Sequence, residues 1–314
     1  MDNNIIITDE IADALQDGAA LVALESTIIT HGMPYPDNVQ MAADVEAEIR
    51  AQGAIPATIA VIDGALHVGL DDAQREQLAK AEDPMKLSRA DLAFAMARSK
   101  TGGTTVAATM MAAASVGIGI FATGGIGGVH RGAETDFDIS ADLDELARTP
   151  VTVVCAGAKA ILDLPKTLEA LETRGVAVIA YGQDELPAFW SRNSGLAAPL
   201  RLDTVGEISD FLKTRSQLAR MFHGGILICN PVPEADEIAL DIMSAHIDAA
   251  LNEAIAQNIK GKEATPFLLG KIVELTQGQS LKTNIALVKN NARLAAEIAC
   301  EQAAGRSRPK IGFV

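Results

Sequence analysis

Aromatic residues are scarce in this sequence, at 4% of 314 residues, although apolar residues as a whole reach 48%. The apolar content comes mainly from Ala, Ile, Leu and Val, which suit helices packed closely against a buried sheet. A chain of this length is compatible with one large domain or two ordinary ones. We find no linker, low-complexity tract or internal repeat, and we predict a single domain over residues 1–314 with a flexible tail at about 305–314.

The sequence also lacks a cluster of basic residues. It has 26 Lys and Arg against 41 Asp and Glu, which gives a net charge of -15. A nucleic-acid surface needs clustered Lys and Arg, so the composition argues against a nucleic-acid partner. It favours a soluble protein with a small substrate, and an anionic substrate would then need a local basic pocket.

Cysteine is rare as well, and the three cysteines, Cys155, Cys229 and Cys300, are widely separated in the sequence. Their spacing matches no metal-binding motif, and their odd number argues against a disulfide framework. We predict that each is a small apolar side chain in a reducing compartment. The first residues carry acid where a signal peptide carries basic groups, so we expect a cytoplasmic protein.

No charged residue occurs between Thr101 and Val129, and such a run raises the question of a membrane span. A transmembrane helix needs about 20 strongly apolar residues. This segment is instead rich in Ala, Gly, Thr and Met, and glycines interrupt it. We predict a buried helix, a short strand and a loop, and no membrane partner.

Short apolar strands alternate with helices along most of the chain. Strands are predicted at 21–29, 151–158, 176–182 and 224–231, and later helices at 237–258, 266–277 and 283–303. A hairpin is predicted at 57–69, because Asp63-Gly64 is a favoured type I′ turn. The alternation predicts an α/β fold, a three-layer α/β/α sandwich around a mixed, largely parallel sheet. Functional sites in such folds lie at the carboxyl ends of the strands.

Glu25 is an acidic residue inside the apolar run "VALESTII". A carboxyl group on a buried strand is costly unless it is paired or protonated. Burial favours the protonated form, which makes such a group a candidate proton donor near neutral pH. The alternative is a structural Glu that is bonded to the backbone or to the nearby His31.

Lys159 follows the strand "VTVVCAG" and is predicted to start a helix. A Lys at the carboxyl end of a strand is a recurring position for a nucleophile in α/β enzymes. The amine must be neutral to react, and a model Lys titrates at about 10.4, so it needs desolvation or a neighbouring cation. The alternative is a solvated Lys at a helix start, which the helix dipole disfavours.

Two glycine-rich stretches, "ATGGIGGVHRG" and "KTGGTTVA", could turn backbone amides towards an anion. The first stretch fits neither a dinucleotide fingerprint nor a P-loop, because His130 occupies the position of the third glycine and no GK[ST] follows. A tight turn is the alternative for the first stretch. His130 and Arg131 could likewise simply pair with neighbouring aspartates.

The acidic stretch "FDISADLDELAR" begins with a helix signal, because Ser140 is a good N-cap and acids suit the first turn. Capping does not explain Asp138, which precedes the cap and lies close to Asp136. Asp138 and Asp142 are four residues apart and could share one hard cation. Carboxylates with few nitrogen ligands suit Mg²⁺ or Mn²⁺.

Several long motifs together resemble the pseudouridine-5′-phosphate glycosidases of the indigoidine synthase A-like family. The resemblance covers residues 18–303 and is carried by "VALESTIITHGMPYPDN", "FATGGIGGVHRGAETDFDISADL", "VVCAGAKAILDLPKTLEALET", "GKEATPFLL" and "SLKTNIALVKNNARLAAEIA". It implies reversible cleavage of pseudouridine 5′-phosphate to uracil and ribose 5-phosphate, with Mn²⁺ as the cofactor. It also implies a homotrimer, classed as a carbon–oxygen lyase in the synthetic direction.

The bond broken in this reaction joins two carbon atoms, so ordinary two-carboxylate glycosidase chemistry does not apply. The resemblance implies instead a ring-opened sugar held covalently on a lysine. It assigns Lys159 as the nucleophile, Glu25 as the proton donor to C5 of uracil, and Asp138 as the metal ligand. The other matched positions bind substrate, and they are Lys86, Val106, Ser140, Ala141, Asp142 and Asn284.

Two rival classes of function are compatible with the predicted fold. A sugar or nucleoside kinase would need a nucleotide site, and consumption of ATP with pseudouridine would identify it. A non-catalytic ligand-binding protein would keep its function when Lys159 is replaced.

Overall fold

The structure is a computed structural model that describes residues 4–218, 221, 223–259, 261 and 264–307, so residues 308–314 of the predicted tail lie outside it. The strands are β1 (Ile5–Ile7), β2 (Leu21–Leu24), β3 (Ile55–Ile62), β4 (Ala65–Val68), β5 (Met85–Leu87), β6 (Gly102–Thr104), β7 (Ile120–Ala122), β8 (Thr152–Cys155), β9 (Ala177–Tyr181), β10 (Leu200–Leu202) and β11 (Ile226–Cys229). The α-helices are α1 (Asp9–Asp17), α2 (Asp37–Ala51), α3 (Asp72–Ala79), α4 (Leu92–Ala97), α5 (Val106–Val116), α6 (Ala133–Asp136), α7 (Ala141–Arg148), α8 (Leu164–Thr173), α9 (Val205–Gln217), α10 (Leu240–Ala256), α11 (Ala264–Leu275) and α12 (Gln279–Ser307).

The strands form one mixed sheet in the order β1-β4-β3-β2-β7-β8-β11-β9-β10, to which β6 and β5 are added through β3. The central neighbours β2, β7, β8, β11 and β9 are all parallel. The antiparallel pairs are β3 with β4 and β3 with β6. The β3–β4 hairpin turns at Asp63 and Gly64, which both have positive φ, at 50° and 81°, so the predicted hairpin is confirmed.

Helices cover both faces of the sheet, and on each face an apolar cluster lies between the sheet and the helices. Alternate residues of β2 belong to different clusters: Val22 and Leu24 pack with α2 and α12, whereas Leu21 and Ala23 pack with α1 and α5. This alternation follows from the period of two in a strand. The predicted three-layer α/β/α sandwich around a largely parallel sheet is therefore confirmed.

The long uncharged segment folds as predicted, into helix α5, strand β7 and a glycine-rich loop. Within the described ranges, no helix combines the length and the apolar character that crossing a membrane requires. Cys155 and Cys229 are buried free thiols on the paired strands β8 and β11, and Cys300 is a half-buried free thiol.

The positions of several elements differ from the prediction. Strand β2 ends at Leu24, and a π-helical turn at Ile28–Gly32 replaces the rest of the predicted strand at 21–29. Helix α8 begins at Leu164, because the Asp163 side chain caps it by accepting the Lys166 N–H. The prediction did not include the short strands β1, β5, β6 and β10 or the helix α9.

Candidate functional site

A cavity of about 350 Å³ opens at the carboxyl edge of the central strands. Segments that follow three neighbouring parallel strands contribute to it: Glu25 after β2, Gly124 after β7 and Lys159 after β8. The opposite wall comes from α11 and the start of α12. The cavity therefore lies where a parallel sheet is expected to hold its ligand.

Four of the predicted site residues line this cavity together: Glu25, Lys86, Lys159 and Asn284. Lys86 enters from β5, and Asn284 enters from the second turn of α12. Residues far apart in the sequence thus bring one carboxyl group, two amines and one amide to a single space. The other predicted site residues lie outside the lining of the cavity.

Glu25 follows the end of β2 and is half-buried, so its prediction as a buried strand residue was wrong. The strand ends there because the chain turns into the π-helical segment, where Ile29 N–H donates to Ser26 O. The Thr27 and Thr123 hydroxyls donate to the two carboxylate oxygens of Glu25. The side-chain partners of Glu25 are thus threonines, while His31 contacts the Thr30 hydroxyl at 2.7 Å.

Lys159 lies in the loop between β8 and α8, so the prediction that it starts a helix was wrong. Its N–H donates to Ile126 O at 3.1 Å, and its carbonyl accepts the Leu162 N–H at 3.0 Å. These bonds tie the lysine backbone to the glycine-rich loop that follows β7. The side chain is half-buried and reaches the cavity.

Lys86 places positive charge beside two histidines of the site. Burial lowers the pKa of His31 below its ordinary value, and the charge of Lys86 lowers it further. Burial is also the largest influence on His130, whose pKa is lowered, while Asp138 opposes the shift and Lys159 and Lys86 reinforce it. His130 is therefore within electrostatic range of both amines and of Asp138.

Asp138 lies at the edge of the site, with about a third of its side chain exposed to solvent. Its carboxylate is 4.0 Å from Nδ1 of His130, and its backbone N–H donates to Asp136. Arg131, in contrast, pairs with Asp248 on α10 at 2.9 Å. The expected alternative of local pairing thus applies to His130 and not to Arg131.

Asp142 is buried, and both of its carboxylate oxygens accept backbone amides. One accepts the Ala107 N–H at 3.0 Å and the other accepts the Gly127 N–H at 2.8 Å. Ser140 caps α7 as predicted, accepting the Asp142 N–H at 3.2 Å. Through these bonds Asp142 connects α5, α7 and the glycine-rich loop. Its carboxylate is therefore not shared with Asp138 in a cation site.

The start of α5 lies beside the start of α7. Val106 is the buried first residue of α5, and Ala141 is the exposed first residue of α7. In the described part of the chain, the hydroxyl of Thr105, just before α5, is buried without a hydrogen-bond partner. Amides in a first helical turn have no acceptor within the helix. Here the Ala107 amide bonds the Asp142 carboxylate, and the Asp142 amide bonds the Ser140 hydroxyl.

The glycine-rich loop is packed tightly against its neighbours. A Cβ on Gly127 would lie 2.2 Å from the Ser140 hydroxyl, and one on Gly125 would lie 2.7 Å from the Phe189 ring. The Ile126 and Gly127 amides donate to protein acceptors. The glycines therefore permit close approach of the segments that carry the predicted site residues.

The donors near Asp138 limit the kind of metal ion that this residue could hold. Within the described residues, no group of three or more His, Cys, Asp and Glu side chains is arranged to hold a metal ion. A hard cation that keeps several water ligands needs only one or two carboxylates from the protein. The partly exposed carboxylate of Asp138 fits an ion of that kind, and a site of the structural zinc type does not fit.

An aromatic and aliphatic wall of the cavity was not predicted. Phe189 and Trp190 pack edge to face with ring centroids 4.9 Å apart, and Trp190 Nε1 donates to Ser280 O at 3.1 Å. Pro266 and Leu269 of α11 extend the same wall. The sequence of the region 188–223 is less diagnostic, although "FW" in so aromatic-poor a chain was an available signal.

The sequence matches the family model described as "Indigoidine synthase A like protein" over residues 10–301. A relative from Solibacter usitatus, named pseudouridine-5′-phosphate glycosidase, is 64% identical over 293 residues, covering 93% of this chain and 97% of its own. A relative of the same name from Mesorhizobium japonicum is 65% identical over 289 residues, covering 92% and 94%.

Solved structures agree with these matches. The prealnumycin C-glycosynthase AlnA, solved in complex with ribulose 5-phosphate, is 36% identical with a TM-score of 0.89, over 98% of this chain and 99% of its own. An indigoidine synthase A-like protein from Thermotoga maritima is 31% identical with a TM-score of 0.87, over 96% and 98%. The sequence, the fold and the arrangement of the site lead to one assignment: this chain belongs to the indigoidine synthase A-like protein family.

Proposed function

We propose that this chain reversibly cleaves the carbon–carbon glycosidic bond of pseudouridine 5′-phosphate, giving uracil and ribose 5-phosphate. The observation that carries the proposal is the meeting of Glu25, Lys159 and Lys86 in one cavity at the carboxyl edge of the sheet. The name that the relatives bear supports the same activity. The ribulose 5-phosphate bound to AlnA supports a phosphorylated sugar as the ligand.

Lys159 acts as the nucleophile in this proposal. Its neutral amine attacks C1′ of the ribose, so that the N–C1′ bond forms, the C1′–O4′ bond breaks and O4′ takes a proton. The nitrogen lone pair then forms a C=N bond while the electrons of the C1′–C5 bond move to the uracil ring. Water hydrolyses the resulting imine, which releases ribose 5-phosphate and restores the amine.

Glu25 supplies the proton that C5 of uracil needs as the carbon–carbon bond breaks. A carbon leaving group departs poorly as a carbanion, so the proton must arrive from a fixed donor at the base. The Thr27 and Thr123 hydroxyls hold the two oxygens of Glu25 and so limit its orientation. In the synthetic direction the same carboxylate removes the C5 proton.

The phosphate binds, in this proposal, between Lys86 and the neighbouring starts of α5 and α7. Val106, Ser140, Ala141 and Asp142 lie at these helix starts. The unpartnered hydroxyl of Thr105 offers a donor to the phosphate. Lys86 supplies the local positive charge that a chain of net charge -15 needs to bind an anion.

The uracil ring binds, in this proposal, against Phe189 and Trp190 in the lining of the cavity. These two rings pack edge to face and make this part of the cavity lining apolar. The Asn284 amide has both a donor and an acceptor, which matches the alternating imide groups of uracil.

Asp138 is the residue that would hold a divalent cation, and Mn²⁺ is the ion that the family resemblance implies. The chemistry supplied by such an ion, when bound, is positive charge beside the phosphorylated sugar. His130 Nδ1 lies 4.0 Å from the Asp138 carboxylate.

The remaining properties follow from the family resemblance alone. We propose a cytoplasmic homotrimer that is a carbon–oxygen lyase in the synthetic direction and a C-glycosidase in the degradative direction. A kinase of α/β/α fold finds no support among the matched relatives.

The deciding experiment measures uracil release from pseudouridine 5′-phosphate with added Mn²⁺, and compares it with release from unphosphorylated pseudouridine. We expect release from the phosphate and a much lower kcat/KM for the nucleoside, because lost phosphate binding weakens transition-state stabilisation. Absence of uracil release from either compound would contradict the proposed function. Equal kcat/KM for the two compounds would contradict the phosphate site alone.

A further inference from the structure

A buried amide cluster lies behind the cavity, outside the residues that contact substrate in the proposed function. Asn291 of α12 is fully buried, with 0% of its surface exposed. Its Nδ2 donates to Thr123 O at 2.9 Å and to Gly124 O at 3.4 Å. Its Oδ1 accepts from Asn230 Nδ2 at 3.1 Å, and Asn230 N–H donates to Cys155 O at 2.7 Å. The cluster thus joins the carboxyl ends of β7, β8 and β11.

Burying two amide side chains among apolar residues is costly unless their polar atoms are bonded. The hydrogen bonds that Asn291 donates go to the carbonyls of the two residues that follow β7, where the chain leaves the sheet for the glycine-rich loop. Asn291 and Asn284 are seven residues apart on α12, which places them on the same face of the helix two turns apart. One face of α12 therefore lines the cavity and fixes the residues behind it.

Thr123 connects this cluster to the cavity. It is buried, its carbonyl accepts from Asn291, and its hydroxyl donates to Glu25 Oε1. Thr123 lines a separate apolar cavity of about 30 Å³ behind Glu25. The Thr123 hydroxyl therefore contacts the Glu25 carboxyl group although Thr123 does not belong to the lining of the 350 Å³ cavity.

We propose that Thr123 and Asn291 are positioning residues, which together fix the Glu25 carboxyl group in the orientation needed for proton transfer at C5 of uracil. The proposal rests on the proposed function of Glu25. A fixed donor matters because proton transfer requires heavy atoms within hydrogen-bond reach, and small misplacements are costly. The covalent step at Lys159 does not need this orientation.

The test compares Thr123→Val, which removes the hydroxyl donor, with Thr123→Ser, which keeps it. We expect kcat for uracil release from pseudouridine 5′-phosphate to fall up to about 100-fold in the valine variant, while KM stays near its wild-type value. The serine variant should recover most of the lost rate. Borohydride trapping with ribose 5-phosphate should give a near wild-type yield of the Lys159 adduct in both variants.

Asn291→Leu should lower kcat like Thr123→Val, again with little change in the adduct. Asn290→Leu is the matched control, because the neighbouring amide donates to Pro231 O at 3.1 Å, whereas the Asn291 amide donates to Thr123 O. Should Asn291→Leu fail to fold, Thr123→Val alone decides the question. Wild-type kcat in Thr123→Val, or an adduct yield that falls in step with kcat, would overturn the proposal. A wild-type protein that releases no uracil would instead refute the proposed function.

Discussion

At the scale of single residues, Glu25 and Lys159 have separable tasks in the proposed reaction, in which one acts at the base and the other at the sugar. They reach the cavity from the ends of β2 and β8, with β7 between them. This separation makes the two steps of the proposed reaction testable one at a time.

The lysine step is tested by trapping. Enzyme incubated with ribose 5-phosphate and borohydride should gain one reduced sugar phosphate on the peptide that carries Lys159, because product alone forms the imine. Lys159→Ala should gain none and should release no uracil. Glu25→Gln should form the adduct but lose uracil release, since its task lies at C5. Mass spectrometry of digested protein checks this, and an adduct on another lysine would refute the assignment.

The sequence alone indicated Glu25 and Lys159, because charged residues beside long apolar strands stand out. It could not indicate Thr123 or Asn291. The Thr123 hydroxyl meets a carboxylate 98 positions earlier, and the Asn291 amide meets a carbonyl 168 positions earlier. Such contacts depend on the order of the strands and on how α12 packs, and no local pattern encodes either.

At the scale of elements, the glycine-rich loop after β7 packs between the segments that carry Glu25 and Lys159. Its Ile126 and Gly127 amides donate to the Gly157 carbonyl and the Asp142 carboxylate. Its glycines allow the Ser140 and Phe189 side chains to approach the backbone of the loop closely. The sequence was compatible with free amides of this loop that face an anion. The described contacts of Ile126 and Gly127 are instead internal.

Gly127→Ala tests this close packing. The added Cβ would lie 2.2 Å from the Ser140 hydroxyl and 2.8 Å from Asp142 Oδ2, so the start of α7 must move. We expect the free energy of unfolding to fall by about 1–3 kcal/mol, with weaker binding of ribose 5-phosphate. Urea denaturation and calorimetric titration measure the two effects.

Gly119→Ala is the matched control, because a Cβ there would have no heavy atom within 4 Å. Its free energy of unfolding should stay within about 0.5 kcal/mol of wild type. Equal stability of both variants would contradict the packing argument.

Elements were predictable where their pattern was long. The hairpin at Asp63 followed from its turn signal, and the helix and strand within the uncharged segment followed from its apolar pattern. The strand "GGT" at Gly102–Thr104 has little β propensity and exists because it pairs with β3 and β5. The π-helical turn at Ile28–Gly32 was missed for a similar reason, since its apolar residues are equally compatible with a strand.

At the scale of the whole molecule, the charge of -15 repels the very ligand that the site is proposed to bind. Lys86 and the helix starts must offset that repulsion locally, and a cation at Asp138 would add to them. Ligands that bind only the folded chain also stabilise it. Thermal melting can therefore distinguish the proposed phosphate site from the proposed cation site without a measurement of activity.

We expect Mn²⁺ alone to raise the Tm of the wild-type protein, and ribose 5-phosphate alone to raise it as well. A ligand at a hundredfold excess over its Kd adds about 2.7 kcal/mol of stability. Asp138→Asn should lose the rise with Mn²⁺ while keeping a rise with ribose 5-phosphate, because Lys86 and the helix starts remain. Asp144→Asn is the control, since its carboxylate pairs with Arg174 at 2.6 Å on the same acidic stretch. Calorimetric melting of metal-free protein makes the measurement. If Mn²⁺ raised the Tm of Asp138→Asn as much as that of the wild type, Asp138 would not be the ligand of the cation. If Mn²⁺ left the Tm of an active wild-type protein unchanged, the proposed cation site would be refuted.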